Sequence, residues 1–280
     1  MSPSRLVWTE QNKLVRWAMA IVYPHTDAVT VRSARSIGAI ILHEMSAIYG
    51  RTPGGYLWAI LEPLGFIVVM AVGFGLVFHA PPLGTNFMLF YATGFLPLHI
   101  YSELSGKLMN ALRYFRPLIA YPAVLWIDTM IARTILHWGT GIVVSTIVLC
   151  AILLFDPLPI WIDPASIFIG TTMVALIGIG VGTINCYLTG RFAFWSRIWA
   201  IAARPIFFGS GVFYTFENLA EPLQFWLWWN PIIHAVSIFR RGFYQSYHPD
   251  FVSYFYGFGT GLVMLVIGLM LLRKSHDRIN

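Results

Sequence analysis

The chain has 280 residues, of which 58% are hydrophobic, 16% aromatic and only 11% charged. So few polar residues cannot cover the surface of a soluble domain of this length, which excludes an ordinary soluble fold and indicates an all-α polytopic membrane protein. The net charge of +6 does not indicate nucleic acid binding, because fifteen of the 18 Lys and Arg residues lie near the ends of apolar segments.

Residues 1–55 are predicted to be a cytoplasmic N-terminal segment that contains an amphipathic helix. Apolar residues recur every three or four positions between Val31 and Tyr49, and basic and polar residues lie on the other side. This pattern favours a helix that lies in the plane of the lipid headgroups. The first 55 residues lack the apolar core and small-residue cleavage site of a signal peptide, so we expect the N terminus to stay cytoplasmic.

The amphipathic helix is expected to end at Pro53 and the two glycines that follow it, because proline and glycine both disfavour a helix interior. A new helix is expected to begin near Tyr56, at the level of the headgroups. Glu62 falls within the apolar run that follows, where a carboxylate should face protein or water, unless it still lies at the wetted interface.

Residues 56–280 are predicted to form six transmembrane helices, because six apolar segments approach or exceed the roughly 20 residues needed to cross a bilayer. These segments are residues 57–78, 87–104, 123–155, 167–188, 198–216 and 251–272. Basic residues flank alternate ends of the segments, which places both termini in the cytoplasm. In the fourth segment, Gly178 and Gly182 are spaced for close packing between helices.

The region between the fifth and sixth segments, at about residues 217–250, is predicted to be a re-entrant hairpin. It is too long for a turn, and Asn230-Pro231 divides it into two short apolar runs. Such runs fit interfacial or re-entrant segments better than full crossings. Irregular backbone at this depth requires protein or a water-filled cavity beside it, so the hairpin should border a transport pathway.

No motif of an enzyme is present in the sequence. There is no phosphate-binding loop and no serine hydrolase elbow, and the pair His43-Glu44 does not begin an HExxH zinc site because Ala47 stands at the place of the second histidine. Cys150 and Cys186 lie in apolar runs without metal-ligand spacing, so no metal site is predicted. Because ionisable residues deep in the spans are also few, energy for uphill transport should come from another subunit.

The chain resembles the type-2 ABC exporter permeases, and within them the permeases that export capsular polysaccharide. The resemblance rests on the amphipathic helix followed by the sequence RTPGGYLWAILEPL at residues 51–64 and on the six spans. It rests also on the hairpin, from FGSGVFY at residues 208–214 through WNP at residues 229–231 to RRGFY at residues 240–244.

The resemblance implies a homodimeric pore in the bacterial inner membrane, bound to two copies of a separate ATPase subunit that binds ATP and Mg²⁺. This chain would itself bind no cofactor. The implied substrate is a lipid-linked acidic polysaccharide, handed on to a periplasmic co-polymerase or adaptor and an outer-membrane export partner. Alternatives that remain open are an exporter of O-antigen, teichoic acid, a lipid or a drug, and a membrane-embedded glycosyltransferase or acyltransferase.

Four groups of candidate residues follow from these interpretations. The planar guanidinium group of arginine can donate two hydrogen bonds to one phosphate group. Arg32, Arg35 and Arg51 are therefore candidates for the site where the substrate enters. Sugar rings bury their apolar faces on aromatic rings, which predicts a translocation path along Tyr56, Trp58, Glu62, Tyr91, Tyr101, Phe208, Phe213 and Tyr214. The hairpin would be an external gate with an apolar plug and a polar rim, formed by Trp226, Trp228, Trp229, Arg240, Arg241 and Tyr244. Coupling to the ATPase is assigned to His43, Glu44, Ser46, Arg113, Tyr114 and Arg116.

Overall fold

The computed structural model describes residues 29–49, 55–114, 125–155 and 162–276. These parts of the chain are helical and contain no strand, which confirms the all-α prediction for them. The helices are α1 (Val29–Tyr49), α2 (Gly55–Gly75), α3 (Phe87–Met109), α4 (Ala111–Tyr114), α5 (Trp126–Phe155), α6 (Pro164–Arg191), α7 (Trp195–Phe208), α8 (Glu221–Leu227), α9 (Pro231–Arg241) and α10 (Tyr254–His276), with a 3₁₀ turn at Phe216–Asn218.

Four helices in the described residues are long and apolar enough to cross a membrane. They are Leu57–Gly75 within α2, Trp126–Phe155, Pro164–Arg191 and Tyr254–Lys274 within α10. They correspond to the first, third, fourth and sixth predicted spans. The second and fifth predicted spans do not meet the same criterion, and each has a physical reason for the difference.

The helix at the second predicted span, α3, is long enough but not apolar enough. Its 23 residues extend over about 35 Å, and its C-terminal half carries His99, Glu103 and Lys107. Most of its length is nevertheless buried among α2, α5, α6 and α9. A helix that is enclosed by other helices can carry polar groups, because those groups meet protein rather than lipid.

The helix at the fifth predicted span, α7, is shorter than predicted. It has 14 residues, or about 21 Å, and ends at Phe208 instead of continuing to residue 216. Pro205 lies inside the helix and does not end it. The chain leaves the helical path at Gly209 and reaches Gly211, whose φ of 77° is incompatible with a right-handed helix.

The centre of the bundle is α6, which packs against α3 on one side and α10 on the other. Glycines allow both contacts. A Cβ atom on Gly182 would lie 2.8 Å from Leu108 of α3, and a Cβ atom on Gly180 would lie 2.8 Å from the Gly261 carbonyl of α10. The close approach predicted for Gly178 and Gly182 is confirmed, and their partner is α3 of the same chain.

The predicted break at Asn230-Pro231 is the start of α9. The Asn230 carboxamide oxygen accepts a hydrogen bond from the Ile232 amide, and Pro231 occupies the first helical position, where its missing N–H costs nothing. The Asn230 amide group also donates to the Gly209 carbonyl at 2.8 Å. This one side chain therefore begins α9 and holds it against the end of α7.

A pair of glycine substitutions in α6 tests this packing. Gly190→Ala meets no atom within 4 Å and should raise stability by up to about 1 kcal/mol, because alanine favours a helix. Gly180→Ala should lower stability by roughly 1–3 kcal/mol, because the added carbon meets the backbone of α10. Thermal unfolding of the two purified variants measures the difference, and equal melting temperatures would contradict the packing described here.

Candidate translocation path and coupling site

Two facing stripes of side chains run along α2 and α3. On α3, one side chain per turn lies on the same face at every fourth residue, and the α2 stripe has the same spacing except that it omits Met70. The stripe residues are Trp58, Glu62, Phe66 and Phe74 on α2 and Tyr91, Phe95, His99, Glu103 and Lys107 on α3. Because the two helices are antiparallel, polar residues of both stripes meet near one end of the pair and aromatic residues meet near the other.

At the polar end, the stripes line a cleft of about 250 Å³ between α2, α3 and α5. Glu62, His99, Glu103, Lys107 and His137 supply its ionisable groups, and Trp58 supplies an aromatic wall. Lys107 and Glu103 pair at 3.7 Å, and both side chains are partly exposed. The cleft, called the polar cleft below, therefore offers hydrogen-bond donors and acceptors next to an apolar surface, the combination that suits a hydroxylated ring.

From the polar cleft, aromatic rings continue in contact along the bundle. Phe95 stacks on His99 with ring centroids 5.7 Å apart and on Phe66 at 4.1 Å. Phe66 meets Phe207 of α7 at 5.8 Å, and Phe207 meets Phe213 at 5.5 Å. This series of rings is called the aromatic ladder below.

The far end of the aromatic ladder contains several of the predicted path residues. Phe213 lies 6.4 Å from Tyr91 and 5.8 Å from Phe208, and the Tyr214 hydroxyl donates to the Phe208 carbonyl. Trp58 and Glu62 lie at the other end, in the polar cleft. Tyr101 is in neither group, because it lines a separate cleft of about 80 Å³ between α3 and α7.

A buried ionic cluster connects α1 to the bundle. The Glu44 carboxylate accepts hydrogen bonds from Arg133 Nη2 at 2.9 Å and Arg133 Nε at 3.2 Å. His137, one turn further along α5, places Nε2 3.4 Å from the same carboxylate. Glu44 and Arg133 are only 1% and 4% exposed. Burial opposes ionisation of Glu44, but the hydrogen bond of His137 and the charge of Arg133 outweigh it and hold the pKa of Glu44 below its ordinary value.

The predicted coupling residues differ in their exposure to solvent. His43, Ser46, Arg113 and Tyr114 are exposed, whereas Glu44 points into the protein. The guanidinium of Arg133 lies 4.8 Å from the Tyr114 ring and donates to the Lys107 carbonyl. Arg116 lies outside the described residues.

Of the predicted entrance residues, Arg35 is exposed on α1. Arg32 belongs to the same helix, and Tyr56, a predicted path residue, belongs to α2. Arg51 lies outside the described residues.

The predicted polar rim of the gate is wrong for Arg240, which is 1% exposed. Its guanidinium donates to the carbonyls of Gly211, Val212 and Tyr214 at 2.6–2.9 Å and lies 4.2 Å from the Phe90 ring. Burial lowers the pKa of Arg240 to about 10, so the group keeps its charge at neutral pH. Arg240 is thus a tie that holds residues 211–214 to α9 and α3. Its guanidinium packs against Gly94 of α3, where the Cβ atom of any other residue would collide with it.

The remaining gate residues divide into two environments. Trp226 and Trp229 are 73% and 58% exposed, whereas Trp228 stacks on Tyr256 of α10 at 5.0 Å. His234 lies beneath Trp228, with Nε2 2.8 Å from the Trp228 carbonyl and Nδ1 accepting from the Ser253 amide. Burial lowers the pKa of His234, in accord with a neutral ring that makes both bonds.

Arg241 and Tyr244, the last two gate residues, are half-buried. Arg241 lies 3.5 Å from the Tyr254 hydroxyl, and the ring of Tyr244 covers Gly84. These contacts belong to the packing between the end of α9 and its neighbours.

Sequence reasoning missed Phe66, Phe95, His99, Phe207 and His137. The four-residue spacing from Tyr91 to Lys107 was available in the sequence and could have identified the residues of α3. No comparable signal joins His137 to Glu44, because these residues are 93 positions apart and meet only in the folded chain.

Among the described residues, no group of three His, Cys, Asp or Glu side chains could hold a metal ion. Helices that are apolar and long enough to cross a membrane, together with a polar cleft and an aromatic ladder between them, indicate a membrane protein with a candidate solute path. The chain belongs to the ABC-2 type transporter family, whose profile matches residues 35–244.

Several relatives are named for the export of capsule polysaccharides. The chain is 27% identical over 252 residues to the polysialic acid transport protein KpsM of Escherichia coli, which covers 86% of this chain and 94% of the relative. It is 25% identical over 244 residues to the capsule polysaccharide export inner-membrane protein CtrC of Neisseria meningitidis, and 25% identical over 247 residues to the corresponding protein BexB of Haemophilus influenzae. Each alignment covers 86% of this chain and 91% of the relative. The family resemblance seen in the sequence is confirmed.

Two neighbouring arginines of α9 test the role of the buried tie. Arg240→Lys should lower stability by roughly 2–4 kcal/mol, because lysine cannot reach three carbonyls with a planar fork and leaves buried acceptors without a donor. The control, Arg241→Lys, changes a half-buried residue and should stay within about 0.5 kcal/mol of the parent. Thermal unfolding of both proteins is the measurement, and a stable Arg240→Lys variant would refute the tie.

Proposed function

We propose that this chain is the permease subunit of an ABC transporter that exports capsular polysaccharide across the inner membrane. The observation that carries this conclusion is the match of residues 35–244 to the ABC-2 family together with relatives named for capsule export along 86% of the chain. The polar cleft and the aromatic ladder support it, because both suit a chain of sugar rings better than a purely apolar solute.

The full topology is part of the proposal. Six crossings with both termini in the cytoplasm would include α3, which is long enough, and α7 together with the residues that follow it. Lys107, Arg191 and Arg273 lie at the ends of α3, α6 and α10. These ends would all face the cytoplasm, in agreement with the excess of positive charge on that side of membrane proteins. In this arrangement α1 lies along the cytoplasmic headgroups, and α8 with α9 form a re-entrant hairpin at the periplasmic side.

The partners are proposed from the family. Two copies of this chain would form the pore, and α7 is a suitable surface for this contact because none of its residues is buried in the described single chain. Two ATPase subunits would bind ATP and Mg²⁺ and contact the exposed residues His43 and Ser46 of α1 and Arg113 and Tyr114 of α4. A periplasmic adaptor and an outer-membrane partner would receive the polymer.

We propose a substrate path along the two stripes. A lipid-linked acidic polysaccharide would enter near Arg32, Arg35 and Arg51 and pass its first sugar units into the polar cleft. Hydroxyl groups can donate to Glu62 and Glu103, and Lys107 supplies a counter-charge to an acidic group. Beyond the cleft, rings of the aromatic ladder offer apolar faces without fixed hydrogen bonds, so that the polymer can slide. Trp226, Trp229 and the loop held by Arg240 would border the exit.

Deletion of the gene in its own bacterium tests the function. Surface polysaccharide should be lost, polymer should accumulate in the cytoplasm, and a plasmid copy should restore the surface layer. A tagged chain purified from membranes should carry an ATPase subunit with it and should not hydrolyse ATP without that subunit. Unchanged surface polysaccharide, or a chain that hydrolyses ATP alone, would contradict the proposal.

A variant of the aromatic ladder tests the path. Phe95→Ala removes the ring that joins His99 to Phe66, and export should fall by about tenfold, because a sugar ring that stacks on an aromatic ring gains roughly 1–1.5 kcal/mol. The control, Phe255→Ala, removes a ring on α10 that is 90% exposed and outside the path. Surface polysaccharide per membrane-embedded permease is the measurement. Equal export by the two variants would remove the ladder from the path.

A further inference from the structure

The connection between α1 and the bundle has an unusual chemistry. Among the described side chains of α1, the buried ones are Ile40 and Glu44. Ile40 packs against Ala132 of α5 as an ordinary apolar contact. Glu44 instead buries a carboxylate, which loses its water and, among the described residues, regains favourable interactions through Arg133 and His137.

A buried ion pair is a poor choice where only stability is required. Replacing both members of such a pair by apolar side chains is often neutral or stabilising, whereas separating the two members is costly. The Glu44 contact is therefore suited to a function that depends on the geometry of the pair. It has one well-defined arrangement, because both carboxylate oxygens bind the guanidinium of Arg133.

The same cluster reaches the polar cleft through His137. The Nε2 atom of this ring faces Glu44, and its Nδ1 atom lies 3.8 Å from a carboxylate oxygen of Glu103. His137 is itself a lining residue of the polar cleft, and Glu103 pairs there with Lys107. Arg133 adds a second connection to α3 through the Lys107 carbonyl.

These contacts give a displacement of α1 a route to the polar cleft. If Glu44 moves with α1, then Arg133 and His137 must follow or lose a buried partner. If His137 follows, its distance to Glu103 changes, and with it the arrangement of donors and acceptors that a sugar unit would meet. The described charged groups around His137 are Glu44 on α1, Glu62 on α2, Glu103 and Lys107 on α3, and Arg133 on α5.

We propose that Glu44 and His137 are positioning residues that link movement of α1 to the polar cleft. Through this link, the ATPase cycle changes the affinity of the cleft for the polymer. This inference rests on the proposed function, which places the ATPase against the exposed face of α1. Glu44 faces away from that surface, so its role is transmission and not docking.

The test compares Glu44→Gln, His137→Gln and the double variant with the parent, each as the complete complex with its ATPase. Glu44→Gln keeps the size of the side chain and removes its charge. His137→Gln keeps a similar size and removes the imidazole ring. Two quantities are measured, surface polysaccharide per complex in cells and phosphate release from ATP by the purified complex. We expect export to fall about tenfold in each single variant while ATP hydrolysis stays within about twofold of the parent. The double variant should be no worse than either single one, because both interrupt the same link.

Ile40→Ala is the matched control, because it removes an apolar contact between the same two helices. It should lower the amount of complex and leave export per complex intact. If Ile40→Ala uncouples export from ATP hydrolysis as strongly as Glu44→Gln, the role of Glu44 is packing and the inference is overturned. Unchanged export by Glu44→Gln would overturn it as well.

A variant with both Glu44→Met and Arg133→Met separates loss of the proposed link from misfolding, because it leaves neither member of the pair as a buried charge without a partner. It should assemble with the ATPase and still fail to export. If neither this variant nor Glu44→Gln assembles, the pair is a folding element and the inference fails. Failure of the proposed function is distinguishable, because then the parent complex itself would export no polysaccharide, whether or not it hydrolyses ATP.

Discussion

Two ionised groups that are almost fully removed from water, Glu44 and Arg133, join α1 to the helical bundle. The attraction between them must compensate for lost hydration, and it does so only when the two side chains meet in a fixed geometry. The position of α1 is therefore defined by α5 rather than by lipid alone. Because Arg133 also reaches α3 and the Tyr114 ring, the same guanidinium organises the end of the bundle where the polar cleft opens.

The two stripes of α2 and α3 give the bundle a graded interior surface. Ionisable groups at one end can exchange hydrogen bonds with sugar hydroxyls, and rings further along contribute apolar contact without directional bonds. A polymer that moves in steps needs weak and repeated contacts, and a series of similar rings provides them. Where the rings end, Arg240 keeps residues 211–214 in a defined position, so this loop has a fixed place at the end of the aromatic ladder.

Much of the fold could be predicted from composition and periodicity. The helical class, the four most apolar helices and the break at Asn230-Pro231 depend on local sequence, which is visible without a structure. The second and fifth predicted crossings do not meet the length and apolarity that the other four meet, because α3 is enclosed by other helices and carries polar groups, and α7 ends at a glycine-rich loop. The site was predicted only in part. Tyr91, Phe208 and Phe213 meet as a group, but Arg240 looked like a surface cation, since no local pattern reveals that three carbonyls 26–29 residues away surround it.

In the proposed mechanism, an exposed face of α1 receives the ATPase while its buried carboxylate transmits movement to the polar cleft. A cryo-electron microscopy structure of the complete complex, with and without bound nucleotide, tests it directly. We expect ATPase density against His43 and Ser46, an intact contact between Glu44 and Arg133 in both states, and a shift of His137 relative to Glu103 when α1 moves. An ATPase bound elsewhere, or a polar cleft of identical geometry in both states despite movement of α1, would contradict it.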